Sequence, residues 1–158
     1  MITRIQAFNY RCFDRLDIKV DQYQVLAGAN GTGKSTLLDI PLLLGEILSR
    51  GLVPAFLESP SIAGSPRAQS LQELVYYQQG DSFGFAIEAD LPEEIIIKLL
   101  QFTYPVVQTI SSEHSKSIRY EIEFKIFNNI EIYVSSELLY IVPQKVTEPE
   151  TGWEIGGK

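Results

Sequence analysis

Polar and apolar positions alternate most strictly in residues 117–142. Ile118, Tyr120, Ile122, Phe124 and Ile126 interleave with Arg119, Glu121, Glu123 and Lys125, and the return run offers Ile130, Ile132 and Val134. A period of two is the signature of a half-buried strand, so this stretch predicts a β-hairpin. Residues 13–20 repeat the pattern, with Leu16, Ile18 and Val20 set against Asp17, Lys19 and Asp21. Residues 2–8 and 82–90 read as two further strands, the latter with Phe83, Phe85, Ile87 and Ala89 on one side. One wet face implies antiparallel pairing, so residues 2–20 predict an antiparallel ribbon turned at Asn9-Tyr10-Arg11-Cys12.

Other segments lack that alternation. Residues 23–27 form a short, mostly apolar run, as expected of a buried strand, and residues 37–48 are apolar over a helical length. Pro41 predicts a kink in that helix, and Arg50-Gly51 a cationic last turn and a stop. Residues 52–67, broken by Pro54, Pro60, Gly64 and Pro66, read as an irregular loop. Residues 70–79 predict a short helix with Leu71, Leu74 and Val75 on one face. Asp90 can cap a helix over 91–101, followed by an extended run around Pro105 and a polar loop over 111–116 that holds His114. Beyond Pro143 the chain is polar, and Trp153 reads as a local packing contact.

The hairpin register follows from the face to be buried. A two-residue Asn128-Asn129 turn would set Ile126 beside Glu131 and mix the faces. A three-residue loop over 127–129 pairs Ile126 with Ile130, Phe124 with Ile132 and Ile122 with Val134, leaving Lys125 against Glu131.

The chemistry lies between the apolar run over 23–27 and the first helix. Gly28-Ala29-Asn30-Gly31-Thr32-Gly33-Lys34-Ser35-Thr36 reads G-x-x-x-x-G-K-S, with an apolar strand expected before it and a helix after it. That context makes the pattern a phosphate-binding P-loop. Gly28, Gly31 and Gly33 allow positive φ and close approach to a phosphate. Successive N–H groups form an anion nest, and the helix N-terminus adds its dipole. Lys34 would reach the β- and γ-phosphates, Ser35 would hold Mg²⁺ through its hydroxyl, and Thr36 would join the phosphate contacts.

Composition narrows the remainder. With 158 residues and 45% apolar content the chain can bury one core. The boundary expected is a lobe over residues 1–142 and a polar tail or linker over 143–158. A net charge of −7, with scattered Lys and Arg, argues against a duplex-binding surface on this chain. The lone Cys12 excludes an internal disulfide and suits a reducing compartment. No run is long and apolar enough to span a bilayer, and residues 1–5 lack a signal-peptide core. The expectation is a cytoplasmic protein with no membrane contact.

The pattern Ile5-x-x-Phe8-x-x-Arg11-x-Phe13, the ribbon, and then Ala27 through Leu38 resemble the ABC-type ATPases of the structural-maintenance-of-chromosomes and RecF group. The resemblance is closest to the bacterial AAA-labelled branch that includes OLD-like and other phage-defence ATPases. It covers the first forty residues strongly, and residues 70–140 more weakly through Ser70-Leu71-Gln72-Glu73-Leu74-Val75 and residues 80–88. It implies an α/β fold, the N-terminal lobe of a P-loop NTPase with a mixed sheet, an antiparallel ribbon before the P-loop and a C-terminal hairpin. It implies ATP and Mg²⁺, Arg11 near the base and α-phosphate, and a glutamine that senses Mg²⁺ and the attacking water. Gln72 is the candidate for that role, with Gln69, Gln78 and Gln79 competing.

The same resemblance implies parts that do not occur here. Ser61-Ile62-Ala63-Gly64 is not the family's serine-glycine signature, and Ser135-Ser136, not Asp-Glu, follows residues 130–134. The expectation is therefore half an ATPase. It would bind ATP and hydrolyse it only when completed by a C-terminal lobe and dimerised, in DNA repair or phage defence. Any DNA contact would come through other parts of the assembly. The alternative is a nucleotide-binding or interaction module that never hydrolyses. A GTPase or small-molecule kinase is disfavoured, because the chain has no Asn-Lys-x-Asp guanine motif and no arginine-rich lid.

Overall fold

The computed structural model describes residues 1–58, 66–95, 98 and 117–142. Its strands are β1 (Ile2–Tyr10), β2 (Phe13–Lys19), β3 (Ser82–Asp90), β4 (Ser117–Phe127) and β5 (Glu131–Val142). They form one sheet in the order β2-β1-β3-β4-β5, antiparallel at every junction. The helices α1 (Lys34–Arg50) and α2 (Leu52–Leu57), further helical residues at 93–95 and 98, and 3₁₀ turns at Leu71–Leu74 and Tyr76–Gln78 complete the α/β fold among the described residues. The α/β architecture with a ribbon before the glycine loop and a C-terminal hairpin is as expected, but the sheet is not mixed: its five strands are antiparallel throughout, because the run over 23–27 adds no strand to it.

The alternating pattern decides which face is covered. Ile5 and Ala7 on β1, Phe83 and Phe85 on β3, and Ile122 and Phe124 on β4 share one buried face. Leu37, Ile40, Leu43 and Leu44 of α1 and Ala55 and Phe56 of α2 join them in a single core. Phe56 meets Phe83 and Phe124 edge-on, each at 5.6 Å between ring centres. Edge-to-face pairs of this kind add about 0.5–1.5 kcal/mol each beyond the area they bury. Tyr10 is fully buried against Phe85 at 4.7 Å, and burial pushes its phenol up to about 12.

Several elements depart from expectation. Residues 23–27 form no strand, and Tyr23 and Val25 are 95% and 91% exposed. All five strands of the sheet are antiparallel, and among the described residues none lies parallel to this run to pair with it. Part of the expected loop over 52–67 is instead α2. Pro54 sits in its first turn, where a missing N–H costs no internal bond. The helix expected over 70–79 is two 3₁₀ turns, because Val75 between them bridges Tyr10.

The hairpin register differs by two residues. Ile126 pairs with Ile132, Phe124 with Val134, and Phe127 with Glu131. Asn128 and Asn129 both adopt positive φ, at 49° and 59°, and Ile130 turns outward, 80% exposed. A bulge between Glu123 and Phe124 then shifts the ladder, so Ile122 faces Glu137. Residues 93–95 and 98 are helical, as expected within 91–101; the rest of that helix's second half, the run around Pro105, the loop with His114, and the tail with Trp153 lie outside the described residues.

Arg67 fastens the helices to one another. Its side chain is 4% exposed. It donates from Nε and Nη2 to the two Asp39 oxygens at 2.7 and 2.9 Å. From Nη1 it donates to Glu46 Oε2 at 2.6 Å and to the Ala55 carbonyl at 2.7 Å. Burial alone would lower the guanidinium pKa, but the bonds to Asp39 and Glu46 outweigh it and the net shift is upward.

Candidate functional site

The glycine loop leads directly into α1, with Gly33 as the residue before the first helical turn. Gly31 and Gly33 have φ of 83° and 89°, the left-handed region that glycine enters without a Cβ penalty. Gly28 does not share that conformation. Its requirement is space, since a Cβ there would stand 3.1 Å from Thr32 Oγ1. Gly33 needs both, because a Cβ would lie 2.7 Å from two Phe13 ring carbons and 2.8 Å from Cys12 Sγ. The ribbon turn thus packs on the start of α1.

Lys34 Nζ donates to the carbonyls of Gly28 at 2.7 Å and Ala29 at 2.6 Å, and Thr32 Oγ1 donates to Ala29 at 3.0 Å. The loop is closed around its own lysine.

A cleft of about 590 Å³ opens over this loop. Asn30, Gly31, Gly33, Lys34, Ser35, Thr36 and Arg11 line it. Gly28, Ala29 and Thr32 do not line it and contribute the contacts just described. Arg11 enters from the ribbon turn, its N–H bonded to the Leu74 carbonyl at 2.9 Å and its φ at 51°.

The opposite wall comes from residues far away in sequence: Glu73, Val75, Tyr77 and Gln78. Glu73 Oε2 accepts the Gln69 N–H at 3.0 Å. Gln72 does not line the cleft; its amide nitrogen donates to the carbonyls of Gln78 at 2.8 Å and Gly80 at 3.1 Å. Of the four glutamines weighed from the sequence, Gln78 is the one that faces the loop. Asp39 and Glu46, the acids on α1, are taken up by Arg67. Cys12, Glu73 and Tyr77 carried no sequence signal for this site; tertiary pairing brings them there.

Residues 2–46, from β1 through most of α1, match the family model described as the P-loop containing region of AAA domain. No curated protein matches the chain. Among solved structures, one similar chain comes from work on the ATP-driven dimerization and DNA-stimulated activation of SMC ATPases. It is 15% identical, with 90% of this chain and 70% of that chain covered, at a TM-score of 0.46. The matched segment contains the glycine loop that lines the cleft. Among the described residues, no helix is long and apolar enough to cross a membrane.

Proposed function

We propose that this chain is the ATP-binding half of an ABC/SMC-like ATPase, which turns over only when completed by a C-terminal lobe and dimerised. One observation carries the reading. Lys34, Ser35, Thr36, Asn30 and Arg11 converge on one cleft at the N-terminus of α1. Two cations and a row of helix N–H groups suit a polyphosphate, although the whole chain is acidic. Mg²⁺ takes few protein ligands beside phosphate oxygens and water, so the Ser35 hydroxyl at the cleft is a sufficient anchor. Gln78 is then better placed than Gln72 to meet that ion.

The need for a second lobe rests on two features. Tyr23 and Val25 precede the loop almost fully exposed, which suits a run that pairs with strands supplied from elsewhere. The acids of α1 are also committed to Arg67. Holding ATP without orienting a water does not accelerate hydrolysis. The biological setting favoured by the N-terminal motifs is DNA repair or phage defence in the cytoplasm. Dimerisation and DNA contact would come through the completed assembly.

The test is nucleotide binding and steady-state phosphate release by the purified chain, with Lys34→Ala as control. The chain should bind Mg-ATP, release negligible phosphate, and lose most binding on Lys34→Ala. ATP binding undiminished in Lys34→Ala would remove the cradle assignment. Robust release by the chain alone, abolished by Lys34→Ala, would overturn the half-engine reading. It would point to Glu73, the one carboxylate among the described residues lining the cleft.

A further inference from the structure

Six non-glycine residues among those described have positive φ: Asn9, Arg11, Tyr77, Gln78, Asn128 and Asn129. Asparagine tolerates that conformation. Arg11, Tyr77 and Gln78 do not do so readily, and all three line the P-loop cleft. Backbone of this kind persists only where its surroundings impose it, and it gathers at ligand clamps.

The surroundings here are specific. The Tyr10–Val75 bridge and the Arg11 N–H to Leu74 carbonyl bond join the ribbon turn to the segment carrying Tyr77. Gln78 N–H donates to the Val75 carbonyl at 2.9 Å. The Gln72 side chain holds the carbonyls of Gln78 and Gly80 from behind. Gln72 is a positioning residue for this turn.

The outcome of that clamping is an aromatic ring held out at the cleft. Tyr77 is 75% exposed, 4.4 Å from the ring centre of Tyr76, and is the one aromatic among the described residues lining the cleft. At 75% exposed, with the Tyr76 ring as its one aromatic contact among the described residues, the ring gains little in packing from that strain. We propose that Tyr77 is the nucleobase platform of this cleft, stacking on the base of a nucleoside triphosphate whose phosphates sit on the loop at Lys34. The inference rests on the nucleotide reading above. Because every base offers a π-face, the ring separates nucleotides from bare polyphosphate rather than one base from another.

The experiment titrates the full chain with Mg-ATP and, separately, with Mg-tripolyphosphate, by calorimetry. Tyr77→Asn removes the ring but keeps a residue suited to left-handed backbone, and Tyr77→Phe keeps the ring. Tyr77→Asn should weaken ATP about tenfold, the loss of one base–aromatic stack, and leave tripolyphosphate unchanged. Tyr77→Phe should bind both like wild type. Equal loss of both ligands in Tyr77→Asn, or no loss of ATP, would overturn the platform. Wild type holding tripolyphosphate as tightly as ATP would overturn it too, with the phosphate cradle intact. Wild type binding neither ligand would overturn the nucleotide reading, and this inference with it.

Discussion

Replacing Arg67 by alanine should destabilise the protein more than any single surface change, and the size of the effect can be worked from its contacts. The guanidinium side chain is 4% exposed, while its partners Asp39 and Glu46 are 24% and 13% exposed. Removing one partner of a buried ion pair costs about 3–5 kcal/mol, because the charge left behind is poorly hydrated. Here the carboxylates retain some water, and Glu46 keeps Arg50 at 3.8 Å, which places the cost near the lower bound, about 3 kcal/mol. The Ala55 carbonyl also loses its 2.7 Å donor. An unsatisfied buried acceptor adds about 1 kcal/mol or more. A total of about 4 kcal/mol would lower Tm by roughly 8–16 °C for a chain of this size. Arg67→Lys should recover little, since an ammonium cannot fork across Asp39 and also reach Glu46. The assay is a thermal melt of wild type, Arg67→Ala and an Asp39→Asn/Glu46→Gln/Arg67→Met triple variant. The triple variant should recover much of the loss, because it leaves neither carboxylate stranded. A loss below about 1 kcal/mol in Arg67→Ala would refute the reasoning, as it would mean that solvent screens the triad like a surface pair. The upward shift of the guanidinium keeps its contribution fully present below its usual pKa, so no pH dependence from Arg67 is expected in the working range.

Two further outcomes follow from geometry and charge. Gly33→Ala should cost about 2 kcal/mol or more, from left-handed backbone plus a clash with Phe13 and Cys12. Gly31→Ala, with nothing within 4 Å of its Cβ, should cost only the backbone part, and equal losses in denaturant melts would contradict the packing argument. On the outer face Asp17 is held below its ordinary value of 3.8, first by its hydrogen bonds from Arg4 and next, against burial, by Gln6. A depressed carboxylate stabilises above its unfolded pKa and loses that contribution as pH falls through the folded one. The Tm gap between wild type and Asp17→Asn should therefore be constant above about pH 4–5 and shrink below pH 3.8, and a gap that stays constant to pH 2 would count against it.

The strands were legible because each carries its own record of which side is wet. Phe83 and Phe85, and Ile122 and Phe124, fall on the buried face that their alternation assigns. Where expectation and structure part, the missing information is local geometry. No alternation pattern shows that Asn128 and Asn129 would both turn left-handed, nor that a bulge would follow Glu123, and together these set the register. Pro54 read as a breaker, yet a proline in a first helical turn breaks no internal bond, and Phe56 behind it anchors the core.

The cleft divides along the same line. Its floor is a contiguous motif, so Lys34, Ser35 and Thr36 could be placed from spacing alone. Its far wall could not, because Glu73, Tyr77 and Gln78 reach the loop only through the Tyr10–Val75 bridge and the Arg11–Leu74 bond. Residues 23–27 fail for the opposite reason. An apolar run reads as buried whatever lies beside it, but burial belongs to the neighbour as much as to the run. Tyr23 and Val25 have the side chains of an interior strand and the exposure of a surface one. Exposed apolar residues beside a phosphate cradle are costly to keep unless something covers them. That cost falls on the same few residues where the proposed second lobe would pair.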